Sequence, residues 1–133
     1  MKIVKLQTES IDMGSLYAKL KAPEYGGIAI FLGSIREWTE GVHTDYIEYT
    51  AYEEMAIKEL DKLATPIEAA GNRVIIVHRI GKLEIMDEAL FIGVAAPHRK
   101  EALEGVSTII ETLKQTVPIW KKEVDQGENR WHQ

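Results

Sequence analysis

The sequence predicts one α+β domain with a mainly antiparallel sheet, and three observations carry that prediction. Apolar runs of strand length stand at 26–34, 73–79 and 88–96, bounded by glycine, asparagine or polar residues. Two longer segments, 53–70 and 98–116, repeat their apolar residues at helical spacing. The connection "IGKLEIMD" between the second and third apolar runs is too short for a parallel crossover, so those strands should pair antiparallel. At 133 residues, 45% hydrophobic and 28% charged, the chain has the make-up of one soluble globular domain spanning 1–133, with no repeat, linker or low-complexity run.

Taken in order, "MKIVKLQ" reads as a first strand, and "SIDMGSLYAKLKA" as a short helix starting near Ser10 and stopping before Pro23. "GGIAIFLGS" is continuously apolar, which predicts a strand buried on both faces. "IREWTEGVHTD" is polar, contains Gly41 and is expected to be a loop. "YIEYTAY" alternates, with Ile47, Tyr49 and Ala51 on one face and Tyr46, Glu48, Thr50 and Tyr52 on the other. A helix follows from Glu53 to Ala70, stopped by Gly71 and Asn72, with Pro66 a point where it would kink or end early. After the strand pair, a second long helix should bury Leu103, Val106, Ile110 and Leu113 and finish near Thr116, because Pro118 disfavours helix at Val117. From Val117 onward the chain reads as irregular or extended.

A net charge of −5 argues against nucleic-acid or anionic-membrane binding. The amino terminus lacks the apolar run of a signal peptide, no segment has the length of a membrane span, and a cytoplasmic location is expected. There is no cysteine, so thiolate nucleophiles and cysteine-ligated metals are excluded. The histidines at 43, 78, 98 and 132 have no metal-ligand spacing, and no metal is expected. Neither a dinucleotide fingerprint nor a P-loop is present.

Against this acidic background, "LKQTVPIWKKE" at 113–123 carries a formal charge of +2. Lys114 falls in the last helical turn, where a cation suits the negative end of the helix dipole. Lys121 and Lys122 point to opposite sides of an extended backbone. A second basic cluster, His98, Arg99 and Lys100, opens a helix at the end that prefers anions. A phosphate or carboxylate would complete it, although Glu101 and Glu104 also relieve the charge. Arg36 follows the apolar strand and could offer a planar donor fork to an anion, or simply be solvated.

The segments "FLGSIR", "YIEYTAYEEMA", "VHRIGKLEI", "AAPHRKEALE" and "LKQTVPIWKKE" together resemble the large, catalytic subunit of molybdopterin synthase over about residues 26 to 131. Thr50 stands where that family often has glutamate, and Met86-Asp87 where it usually has Gly-Glu. The resemblance implies an α/β hammerhead fold and conversion of cyclic pyranopterin monophosphate to molybdopterin. Two sulfurs would come from the thiocarboxylated Gly-Gly terminus of a small ubiquitin-like carrier. It further implies a homodimer that becomes a heterotetramer with two carriers, and no cofactor beyond the pterin substrate. By similarity Lys114 and Lys121 are the catalytic lysines, Arg36, His98 and Arg99 bind the pterin and its phosphate, and Ser34, Ile35, Lys122 and Glu123 adjoin them. Two other readings of the same cations are a Schiff-base lyase using Lys114 and a noncatalytic anion-binding module.

Overall fold

The computed structural model describes residues 1–132. Four strands, β1 (Lys2–Gln7), β2 (Gly27–Ser34), β6 (Arg73–Arg79) and β8 (Glu88–Ala96), form a sheet in the order β1-β6-β8-β2. Only the β1–β6 pair is parallel; β6–β8 and β8–β2 are antiparallel, as the short connection requires. Helices α2 (Glu53–Ala69) and α3 (Arg99–Thr116) cover one face, burying Leu60, Val74, Ile76, Val94 and Ile109. The short helix α1 (Met13–Leu20) covers the other, with Leu20 against Ile75, Val77 and Phe91. It begins later than expected, because the Asp12 carboxylate rather than Ser10 caps it, accepting from the Ser15 N–H at 3.1 Å.

A second antiparallel sheet has the order β10-β9-β5-β7, from β5 (Tyr46–Ala51), β7 (Gly81–Glu84), β9 (Ile119–Asp125) and β10 (Glu128–His132). Ile47 and Leu83 from this sheet meet Ile35 and Ala89 in a small core of their own. Two expected irregular stretches are therefore ordered. "GKLE" leaves the first sheet to pair with β5, and the chain after Pro118 is a hairpin turning at Gln126 (φ 49°) and Gly127 (φ 86°). The expected loop at 35–45 also holds a hairpin, β3 (Trp38–Thr39) with β4 (Val42–His43), turning at Glu40 (φ 50°) and Gly41 (φ 79°). Positive φ at both central residues is the turn whose twist matches antiparallel strands.

Two further differences concern the helices. Pro66 lies inside α2 without ending it at once; its ring removes the N–H that would reach back to the Lys62 carbonyl and crowds that carbonyl, and the helix stops within a turn, at Ala69. In α3 the buried stripe is Ala102, Val106, Ile109 and Leu113, while Leu103 is 60% exposed. The small residues mark the contact face: a methyl group on Gly105 would sit 3.2 Å from Val94.

The correction that matters most is β2. Expected to be buried on both faces, it is the edge strand of its sheet, with Ile30 and Phe31 each 36% exposed. α3 packs along it in the same direction. Gly26 and Gly27 permit the start of α3 to approach, since a methyl group on Gly27 would stand 2.8 Å from the Arg99 nitrogen.

Candidate functional site

At the Ser34 end of β2 the two sheets and the end of α3 enclose a cleft of about 490 Å³. Local structure aims each cation. A register shift between Gly33 and Ser34 bends the strand off the sheet. The backbone of Ile35 is then held by the Asp87 carbonyl at 2.9 Å and the Met86 N–H at 2.8 Å, which fixes where Arg36 begins. The Val117 N–H closes α3 on the Leu113 carbonyl, leaving Lys114 exposed on the final turn. On β9, Lys121 pairs in register with Tyr49 of β5 and shares the cleft side with buried Ile119. Arg36, Lys114, Lys121 and Ser34 all line the cleft, and none of the three cations forms an ion pair among the described residues.

Other candidates lie elsewhere. Ile35 is buried in the small core and offers the cleft only its backbone position. Lys122 is on the opposite face of β9, 3.0 Å from Glu48 and over the Trp131 ring, so it is already satisfied. Glu123 is on the Lys121 side but pairs with His132 at 2.7 Å and Arg130 at 3.8 Å. His98 and Arg99 open α3, exposed, whereas Lys114 closes it. Fifteen residues of helix separate Arg99 from Lys114, roughly 22 Å at 1.5 Å per residue. Within one chain they share no pocket.

Tyr49, His78 and Phe31 also line the cleft; the sequence assigns none of them to it, although His78 beside Arg79 stands out as a strand-end histidine that is either satisfied or functional. His78 is 5% exposed, its ring edge-on to Tyr49 at 4.9 Å, and burial pushes its pKa down from 6.5. Burial, and secondarily Glu123, raises the Tyr49 phenol above 10, so it stays protonated. The one sequence signal for His78 is a polar residue ending an alternating inward row, after Val74 and Ile76.

Away from the cleft, His43 on β4 holds Asp125 at 2.9 Å through Nδ1 and Glu37 at 3.0 Å through Nε2. Its pKa is raised above 6.5, chiefly by the Asp125 bond, then by Glu37. Asp45 completes a group whose ligand atoms lie within 4.8 Å of one another, but a metal there would have to displace the Nδ1 proton. Among the described residues no helix is long and apolar enough to cross a membrane.

The MoaE protein family matches residues 6–116. A molybdopterin synthase catalytic subunit of Staphylococcus aureus (strain COL) is 42% identical, covering 98% of this chain and 90% of that protein. One from Bacillus subtilis (strain 168) is 40% identical, covering 98% and 85%. The crystal structure of molybdopterin synthase from Staphylococcus aureus superposes with a TM-score of 0.90 at 39% identity, covering 96% of this chain and 95% of that one. The fold is also shared, at TM-score 0.83 and 20% identity over 96% and 88%, with a protein–protein complex of subunits 1 and 2 of molybdopterin-converting factor from Helicobacter pylori.

Proposed function

The chain belongs to the MoaE protein family, whose relatives at this similarity are molybdopterin synthase catalytic subunits, and from that premise we propose how it works. Its substrate is cyclic pyranopterin monophosphate, and its sulfur donor is a small carrier protein ending in a Gly-Gly thiocarboxylate. The observation that carries the reading is the convergence of Arg36, Lys114 and Lys121, without ion-pair partners among the described residues, on one cleft of an acidic protein. A carboxylate-like tail and a cyclic phosphate bring several negative charges together, and a cluster of donors in a partly water-excluded cleft stabilises them. Lys114 and Lys121 assist sulfur transfer and hold the charge that develops on sulfur and phosphate. No cofactor of the protein's own enters this scheme.

His98 and Arg99 join the site from a second copy. β2 and α3 run side by side and are matched in length: seven strand steps cover roughly 23 Å, against roughly 22 Å from Arg99 to Lys114. The outer edge of β2 is unpaired and apolar at Ile30 and Phe31. A two-fold axis normal to the sheet, pairing β2 with its copy antiparallel, sets the Gly27 end of one chain beside the Ser34 end of the other. One copy's His98 and Arg99 then face the other's Lys114, Lys121 and Arg36. Each dimer has two such clefts, so with one carrier at each the assembly is a heterotetramer.

The test is direct. Mixed with thiocarboxylated carrier and the cyclic pterin, the protein should yield the dithiolene product, and Lys114→Ala or Lys121→Ala should lower that yield by roughly a hundredfold or more while leaving the fold intact. Full activity in either variant refutes the assignment; a ligand bound without turnover identifies a binding module instead.

A further inference from the structure

Every charged side chain lining the cleft is a hydrogen-bond donor without acceptor capacity: Arg36, Lys114 and Lys121. Sulfur transfer needs an acceptor as well. Once the carrier's sulfur is bonded to the pterin while still attached to the carrier's acyl carbon, the acyl carbon–sulfur bond must be cut by water, and that water must lose a proton. The cleft holds one side chain suited to accept it. His78 ends β6 in the inward-facing row, and its Nδ1 lies 2.7 Å from the Arg79 carbonyl. A carbonyl oxygen only accepts, so Nδ1 carries the ring proton and Nε2 presents a lone pair. Nε2 has no hydrogen-bond partner among the described residues, yet no fully buried side-chain nitrogen or oxygen there lacks one. It therefore keeps solvent contact in a ring 5% exposed, and the cleft that His78 lines is where that contact lies.

We propose that His78 is the proton acceptor of the sulfur-release step, its Nε2 taking the proton of the water that attacks the carrier's acyl carbon. This rests on the sulfur-transfer reading above. As the water oxygen bonds to carbon, the carbon–sulfur bond breaks and its electron pair stays on sulfur as a pterin thiolate beside the lysine ammonium groups. The carrier leaves as a glycine carboxylate. Thioester and water thus give carboxylate, thiolate and two protons, one through His78 to solvent and one from the new carboxyl group. Burial keeps the imidazole neutral and ready at neutral pH, against the opposing pull of the Arg79 carbonyl. The Tyr49 phenol from β5 packs against its ring, and the charged groups lining the same cleft are Lys121 from β9, Lys114 from α3 and Arg36 from the segment after β2.

His78→Asn tests this, because asparagine can keep the donor to the Arg79 carbonyl and lacks Nε2. The expected result is a roughly hundredfold or greater loss in turnover, accumulation of a covalent carrier–pterin adduct by intact-mass analysis, and unchanged carrier affinity. The wild-type rate should fall as pH drops through the lowered pKa of His78, at a more acidic pH than an unburied imidazole would give, and the variant should lack that limb. Wild-type turnover and pH profile in the variant overturn the role of His78 alone. A wild-type protein that forms neither adduct nor product overturns the sulfur-transfer reading and this inference with it.

Discussion

A mixed-protomer experiment tests the composite site most sharply. Lys114→Ala and His98→Ala each alter an exposed side chain, so both proteins should fold within about 0.5 kcal/mol of wild type. Each alone should be nearly inactive, because in a symmetric dimer both clefts lose a member. In a mixed dimer one cleft pairs the Lys114→Ala chain's remaining groups with the partner's altered His98 and is doubly defective. The other pairs an intact Lys114 with an intact His98. Equal mixing gives about half mixed dimers with one good cleft in two, so recovered activity should approach about a quarter of wild type. The roughly 22 Å of α3 between the two groups forbids the alternative within one chain, since no side chain reaches that far. Product formation is assayed after subunit exchange, with differently tagged chains confirming that mixed dimers form. A fully exchanged mixture no more active than its parents would refute the shared site.

Other outcomes follow from the same geometry. Met86 adopts φ 77° and is 80% exposed, so Met86→Gly relieves left-handed strain and should raise stability by roughly 0.5–1 kcal/mol in a denaturant melt; destabilisation would contradict that. Gly27→Ala places a methyl group 2.8 Å from backbone atoms of His98 and Arg99, which must shift. It should cost about 1–3 kcal/mol and reduce product formation, and a neutral result would mean the two elements are less tightly apposed. His43 has a folded pKa above its unfolded 6.5, so its contribution is fully present below 6.5 and is lost as pH rises through the folded value. The melting-temperature gap between wild type and His43→Gln should therefore be widest in mildly acidic buffer and narrow with rising pH. A gap that widens instead is incompatible with the carboxylate bonds described.

Much of this fold was legible from local rules. Pro118 ends α3 at Thr116, the alternation around Tyr49 fixes which face of β5 turns inward, and the short step from Arg79 to Glu88 makes β6 and β8 antiparallel. What escaped depends on distant partners. The apolar run at 26–34 looks like a fully buried strand because its free edge is as apolar as a core. The hairpin turns at Glu40-Gly41 and Gln126-Gly127 carry glycine at the second position but lack the asparagine or aspartate that makes such turns conspicuous. For the site, Lys114, Lys121 and Arg36 do converge, whereas Lys122 pairs with Glu48 on the other face and His98 and Arg99 stand a helix length away. Linear order cannot show which cations meet in one cleft, and it leaves His78 ambiguous between a satisfied and a functional histidine because its tautomer is set by a carbonyl contact.

The parallel run of β2 and α3 couples two rulers of unequal pitch. Adding one residue to the helix would swing Lys114 about 100° around its axis, and adding one to the strand would turn its later side chains to the opposite face. Length changes that keep this geometry must come as compensated insertions, about four helical residues against two in the strand, each lengthening the span by roughly 6 Å. The distance from the start of α3 to Lys114 is thus free to evolve only in coarse steps, a near-digital property of the architecture.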